Sequence, residues 1–182
     1  MAADNELAMV ALLSNIESAI KQMQKSVSSV VARNLVLSMN VLANLSKSSK
    51  AVKSLAKQQF LGPRIGKKQQ PIVAGTAAQD MFTILLDALE MLRASPANTP
   101  QSDLFLTISG VLGRLAGNTG IRTRLVSRKK WMERLNGLLE KIRADGGKRA
   151  VASRSGGNAN KGDLVKLTAL GGVMAVILGT ED

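Results

Sequence analysis

The stretch SDLFLTISGVLGRLA, residues 102–116, decides the fold. At 3.6 residues per turn Leu104, Phe105, Leu106, Ile108, Val111, Leu112 and Leu115 place apolar side chains on nearly every side of one helix, which therefore needs burial all round. Gly110, Gly113 and Gly117, spaced by three and four, leave a groove for close approach of another helix. The segment reads as a core or dimer-interface helix. Arg114 and a length near fifteen residues count against a membrane span, which needs about 20. Its start is expected near Ser102, after the SPANTP break of residues 95–100, with Asp103 favourably placed in the first turn.

Working toward the N-terminus, Thr76 and Gln79 form a capping box, and Met81, Ile84, Leu85, Ala88 and Leu92 supply the buried face of the helix behind it. Residues 62–75, opened by Gly62-Pro63 and carrying Arg64, Lys67, Lys68 and Pro71, read as a basic linker. Before it lie two apolar patterns. Met9, Leu13, Ile16, Ile20, Met23, Val27 and Val30 alternate by four and three along one seam, and the same register carries Asn34, Leu37, Val41 and Asn44. This is either a core-facing helix that breaks near Arg33-Asn34 or a pairing seam with a buried amide. From Leu35 a second pattern, Leu35, Met39, Leu42, Leu45, Val52 and Leu55, leaves Lys47, Lys50, Lys53 and Lys57 as a basic stripe among serines. That stripe suits a phosphate backbone or a solvated face equally.

Toward the C-terminus, the turn Gly117-Asn118-Thr119-Gly120 leads into a long basic helix predicted over 121–144 and closed by Gly146-Gly147. Ile121, Leu125, Met132, Leu135, Leu139 and Ile142 form its seam. Its outer surface carries Arg122, Arg124, Arg128, Lys129, Lys130, Arg134, Lys141 and Arg143, with Trp131 inside the Arg-Lys-Lys-Trp run. Such a helix meets nucleic acid or an anionic membrane, and nucleic acid is favoured because the other basic block offers only Phe60 as a large anchor. Residues 146–163 are rich in Gly, Ser, Asn, Lys and Arg and read as a flexible basic linker. Residues 164–178 are a hydrophobic stretch short of a span, which either docks on the core or contacts a membrane interface.

The predicted class is all-α, a self-associating multi-helix bundle. Its regions are 1–61 (helical, basic in its second half), 62–75 (linker), 76–145 (helical core), 146–163 (flexible basic segment) and 164–182 (hydrophobic segment). The charge of +12 is distributed in blocks. Residues 21–68 hold ten Lys/Arg and no acid, and residues 114–161 hold thirteen against Glu133, Glu140 and Asp145. Between them 69–113 carries four acids against Arg93 alone. A polyanionic partner, engaged through both blocks, follows from that balance.

Chemistry is limited by what is missing. The chain has no Cys, His or Tyr, which removes thiolate and imidazole catalysis and the common transition-metal ligands. Asp87 and Glu90 share a helix face, but acids at that spacing ordinarily solvate the surface or balance Arg93. The glycines of 156–162 lack the ending of a phosphate loop. No enzyme activity, catalytic residue, metal or cofactor is expected. With four aromatics in all, base stacking is not available, so binding should run through phosphates, with weak sequence preference and steep salt dependence.

Taken in order, the apolar helix, the short turn, the basic Trp-bearing helix, the pair Lys148-Arg149 and the terminal hydrophobic stretch resemble a flavivirus-type capsid protein over residues 103–182. The resemblance implies an all-helical dimer with an apolar face toward lipid and a long basic helix toward genomic RNA, in which Arg128, Lys129, Lys130, Arg134, Lys141 and Arg143 face RNA. It also implies proteolytic processing at Lys148-Arg149 ahead of a hydrophobic anchor. The expected function is that of a structural nucleic-acid-binding protein, a viral capsid or nucleoprotein found in the virion or host cytoplasm, binding RNA in preference to DNA. Its expected contacts are Lys47, Lys50, Lys53, Lys57, Lys67, Lys68, Arg122, Arg124 and the six just named. The other reading is a peripheral membrane or helical scaffold protein that binds anionic lipid or a partner helix.

Overall fold

The computed structural model describes residues 2–25, 29–52, 81–96, 98–152 and 158–179. Among them every regular element is helical: α1 (Ala2–Lys25), α2 (Ser29–Ser46), α3 (Met81–Leu92), α4 (Pro100–Ala116), α5 (Thr119–Val126), α6 (Lys129–Ala152) and α7 (Asn158–Leu178), with one further helical turn over 49–52. The capping box of Thr76 and Gln79 and the linker 62–75 lie outside the described residues.

The all-round apolar helix stands at the centre. α4 packs against α2, α3, α5 and α7, and Phe105, Ile108, Val111, Leu112 and Leu115 are wholly buried. Each such side chain contributes about 1.5–3 kcal/mol by leaving water. Its start lies two residues earlier than expected, because Thr99 caps it, its Oγ1 accepting from the Ser102 N–H at 3.3 Å, and Pro100 occupies the first turn, where its missing N–H costs nothing. Of the small residues on α4, Gly113 borders α7: a Cβ there would sit 3.8 Å from Val173 Cγ2. Asn98 takes the left-handed conformation, φ 58°, in the turn ahead.

The N-terminal pattern divides differently from expectation. α1 ends at Lys25 and α2 begins at Ser29, so the break falls before Arg33-Asn34. Ile16, Ile20 and Met23 of the first seam are buried, whereas Val30, Leu37 and Val41, in the same register, are exposed on α2. The second pattern wins there: Leu35, Met39, Leu42 and Val52 are buried. That helix also stops at Ser46, since the Ser46 hydroxyl donates to the Ala43 carbonyl at 2.7 Å and the Ser48 hydroxyl accepts from the Ala51 N–H at 3.3 Å, side-chain bonds that replace the helical ladder. The buried residues of α1 and α2 belong to the same continuous core as those of α3 to α7.

Two further differences lie toward the C-terminus. The long basic helix is two helices, α5 and α6, parted at Ser127-Arg128, where the Ser127 hydroxyl donates to the Arg124 carbonyl at 2.8 Å. α6 then runs through Gly146-Gly147 instead of ending there, and 146–152 and 158–163, expected as flexible linker, are helical. Packing overrides glycine's poor propensity: α6 and α7 pass so closely at Gly146 that a Cβ would lie 3.2 Å from Asp163 Cβ. The hydrophobic C-terminal stretch docks on the core as α7, burying Leu170, Val173 and Ile177, and no helix of the described residues is long and apolar enough to cross a membrane. At its end Gly179, φ 73°, forms the left-handed cap.

Candidate nucleic-acid interface

Helix α6 was expected to present one basic face. It turns Trp131, Leu135, Leu138 and Ile142 inward, which leaves the opposite crest to Lys129, Glu133, Glu140 and Arg143, all exposed and of mixed sign. Arg134 is not available for phosphate. Its Nη2 lies 2.6 Å from Asp87 Oδ1 and 2.8 Å from Glu90 Oε2, and its Nε donates to Glu90 Oε1 at 3.1 Å. The Glu90 hydrogen bond, more than any other contact, holds the guanidinium above its ordinary pKa. Asp87 and Glu90 thus clamp α3 to α6 and do not balance Arg93, whose Nε lies 3.1 Å from Asp145 Oδ2.

Trp131, expected at the surface of the basic run, is 4% exposed. Its Nε1–H donates to the Phe82 carbonyl at 3.0 Å, and its ring meets Phe82 edge-on at 6.4 Å. It serves the core. Lys130 and Lys141 remain exposed on the flank of Arg134, and Arg143 on the far side of the crest. The backbone at Lys148-Arg149 is helical.

Charge is concentrated instead at the junction of α5 and α6. Arg122, Arg124, Arg128, Lys129 and Lys130 fall within nine residues, and no acid occurs between Asp103 and Glu133. Asn118 builds this corner by capping α5, its Oδ1 accepting from the Ile121 N–H at 3.3 Å. Arg122 Nη1 approaches the end of α7 at Gly179, where it complements the negative pole of that helix. Lys129 and Lys130 stand in the first turn of α6, at its positive pole, with no acid among them. Two lysines there oppose the local field, an arrangement that an incoming anion relieves.

The first block reaches the same end of the molecule. Lys47 and Lys50 are exposed just beyond α2, on either side of the break in the expected stripe; Lys53, Lys57, Lys67 and Lys68 lie outside the described residues. Arg114, one turn before α5, donates from Nε to Ser46 Oγ at 2.9 Å, tying the end of α4 to the end of α2. Lys47 and Arg114 line one groove, so residues from the two separate blocks stand together. In the sequence Arg114 stands as the first cation of the block 114–161 and as a charge unfavourable to a membrane span. The signal that marks it is Gly110 one turn earlier, which leaves the space its guanidinium occupies. Among the described residues no cluster of acids, Cys or His suited to a metal ion occurs. No family model, curated protein or solved structure matches the chain.

Proposed function

We propose that the protein is a structural nucleic-acid-binding protein of the capsid or nucleoprotein kind, acting in a virion or in host cytoplasm, that neutralises phosphates of RNA without reading bases. The observation that carries this reading is the cationic run Arg122–Lys130 at the junction of α5 and α6, which holds no acid in the sequence, together with Arg114 and Lys47 on the groove between α2 and α4. The burial of Trp131, Phe82 and Phe105 leaves no exposed aromatic among the described residues on which a base could stack, which supports phosphate contact over base recognition. The docking of α7 with a buried lysine supports the nucleic-acid reading over one in which 164–178 inserts in a membrane.

Self-association is part of the proposal. Val30, Leu37 and Val41 are 65%, 55% and 50% exposed along one side of α2, an apolar ridge of coiled-coil spacing that a second copy would cover. Filter binding of single- and double-stranded RNA and DNA at low and moderate salt tests the function. Expected is an affinity that falls about 10³-fold or more from about 50 to about 200 mM salt and differs little between sequences. Absence of binding at low salt refutes it. Sedimentation of the wild type and Leu37→Lys tests the ridge, whose role is refuted if the two associate equally.

A further inference from the structure

Between α2 and α4 lies an open groove of about 580 Å³, whose polar rim is Asn40, Asn44 and Lys47 on one side and Thr107 and Arg114 on the other. Its chemistry is one-sided. Arginine, lysine and the asparagine amides offer many N–H donors, and no carboxylate stands on the rim. The nearest acid on α4, Asp103, is eleven residues from Arg114, about 16 Å along the helix. Lys47 Nζ donates to Asn44 Oδ1 at 3.2 Å, which occupies the amide oxygen and leaves the amide N–H groups for an acceptor. Thr107 Oγ1 donates to the Asp103 carbonyl at 2.9 Å, which fixes that hydroxyl at the other wall.

Arg114 is held for a task. Ser46, 4% exposed, donates its hydroxyl to the Ala43 carbonyl, so the lone pair on its oxygen is turned toward Arg114 Nε. The guanidinium lies along Gly110, where a Cβ would meet Nη1 at 3.5 Å and Nη2 at 3.7 Å. With Nε tied, the side chain has already given up most of its rotamer freedom, and the terminal nitrogens have no partner among the described residues. A planar fork so placed matches two oxygens of one phosphate group. A tie between helices alone would need one donor and would not need the rest of the fork left open.

We propose that this groove is a phosphodiester cradle: Arg114 takes the two non-bridging oxygens of one phosphate of a nucleic-acid strand bidentately, with Lys47 and the Asn44 amide donating to the lone pairs those oxygens keep. The strand then continues from Lys47 and Lys50 on one side to Arg124, Lys129 and Lys130 on the other, so both basic blocks meet one ligand. The inference rests on the nucleic-acid reading above and adds to it a specific site.

The test is fluorescence anisotropy of the full chain with a labelled oligouridine RNA across a salt series. Arg114→Ala should weaken binding roughly fivefold or more and lower the salt slope by about 0.7–1. Gly110→Glu exchanges glycine for a better helix former and sets a carboxylate four residues before Arg114; it should weaken binding as much while melting no lower than wild type. Ser46→Ala keeps the charge and unties the fork, and should cost roughly two- to threefold. Arg33→Gln, at the far end of α2, reports the loss of one remote charge and should change affinity less than about twofold. If wild type binds and Arg114→Ala matches Arg33→Gln, the cradle is overturned and the function stands. If wild type binds no RNA at low salt, or is captured only by anionic vesicles, both fall.

Discussion

Lys166 offers the sharpest test of how the chain is held together. It sits in the middle of α7 with 0% exposure, its ammonium donating to the Arg93 and Ser95 carbonyls at 2.9 and 2.6 Å and to Ser95 Oγ at 3.2 Å, 5.5 Å above the Phe105 ring. The two carbonyls lie just past the end of α3, where a helix leaves its acceptors without partners. Lys166→Met preserves length and volume and so makes no cavity, but it removes the donors. Two buried carbonyls left without a donor cost about 1–3 kcal/mol each, and the lost cation–π contact about 1–2. Relief of the ammonium's dehydration returns part of this, giving a net loss of about 3 kcal/mol. Urea unfolding followed by far-UV circular dichroism measures it. At a slope near 2 kcal/mol per molar, the midpoint should fall by about 1.5 M with the slope unchanged. Ser95→Ala alone should cost about 1 kcal/mol, and its effect should shrink in the double variant because both act on one contact. A Lys166→Met protein within about 1 kcal/mol of wild type would refute the argument that this lysine fastens α7 to the α3–α4 turn.

The glycines of α6 should respond in opposite directions. Gly137→Ala, with nothing within 4 Å of the new Cβ, should raise stability by about 0.5–1 kcal/mol, whereas Gly146→Ala should fail to do so because Asp163 is 3.2 Å away; thermal unfolding of the pair checks this. Trp131→Phe should cost about 1–2 kcal/mol through the lost hydrogen bond to the Phe82 carbonyl and the smaller ring, with RNA affinity unchanged, as judged by denaturation and anisotropy together. Arg134→Gln should lower stability by about 1 kcal/mol, discounted for the partial exposure of the clamp, and weaken RNA binding no more than Arg33→Gln does. The raised pKa of Arg134 means that its contribution is present at every pH below the ordinary arginine range and is lost only above it.

The helical class, the burial of 102–116 and the inward face of Met81–Leu92 were legible because apolar periodicity is a local property, set by which side chains share a helix face. Three other features were not local. The sequence seam from Met9 runs unbroken into α2, and only the packing of Leu35, Met39 and Leu42 shows that its second half, Leu37 and Val41, faces outward. Trp131 amid arginine and lysine looks exposed, yet a helix of mixed composition can bury one narrow stripe, and Trp131 is on it with Leu135 and Leu138. Gly146-Gly147 reads as a helix end by propensity, but contact with α7 outweighs roughly 1 kcal/mol per glycine. At the candidate site the stretch Arg122–Lys130 was legible from charge alone. Arg114 was not, since its role depends on Ser46, 68 residues away.

The distribution of acids explains why one end of the molecule should act alone. In the sequence, the four carboxylates of 69–113 separate two basic blocks. In the fold two of them, Asp87 and Glu90, are laid against Arg134, while Asp145 meets Arg93 and Glu133 and Glu140 stand among the cations of α6. Past Lys129 and Lys130, helix α6 is thereby brought close to local neutrality, and the charge of that part contributes little beyond a Debye length of about 8 Å. At the corner, Arg124, Lys129 and Lys130 have no acid beside them in sequence, and Arg114 and Lys47 face each other on the groove between α2 and α4. On the proposed reading the attraction that remains at distance is directional: an approaching polyanion would be drawn to the end where α2 stops and α5 begins and would meet there the Arg114 fork.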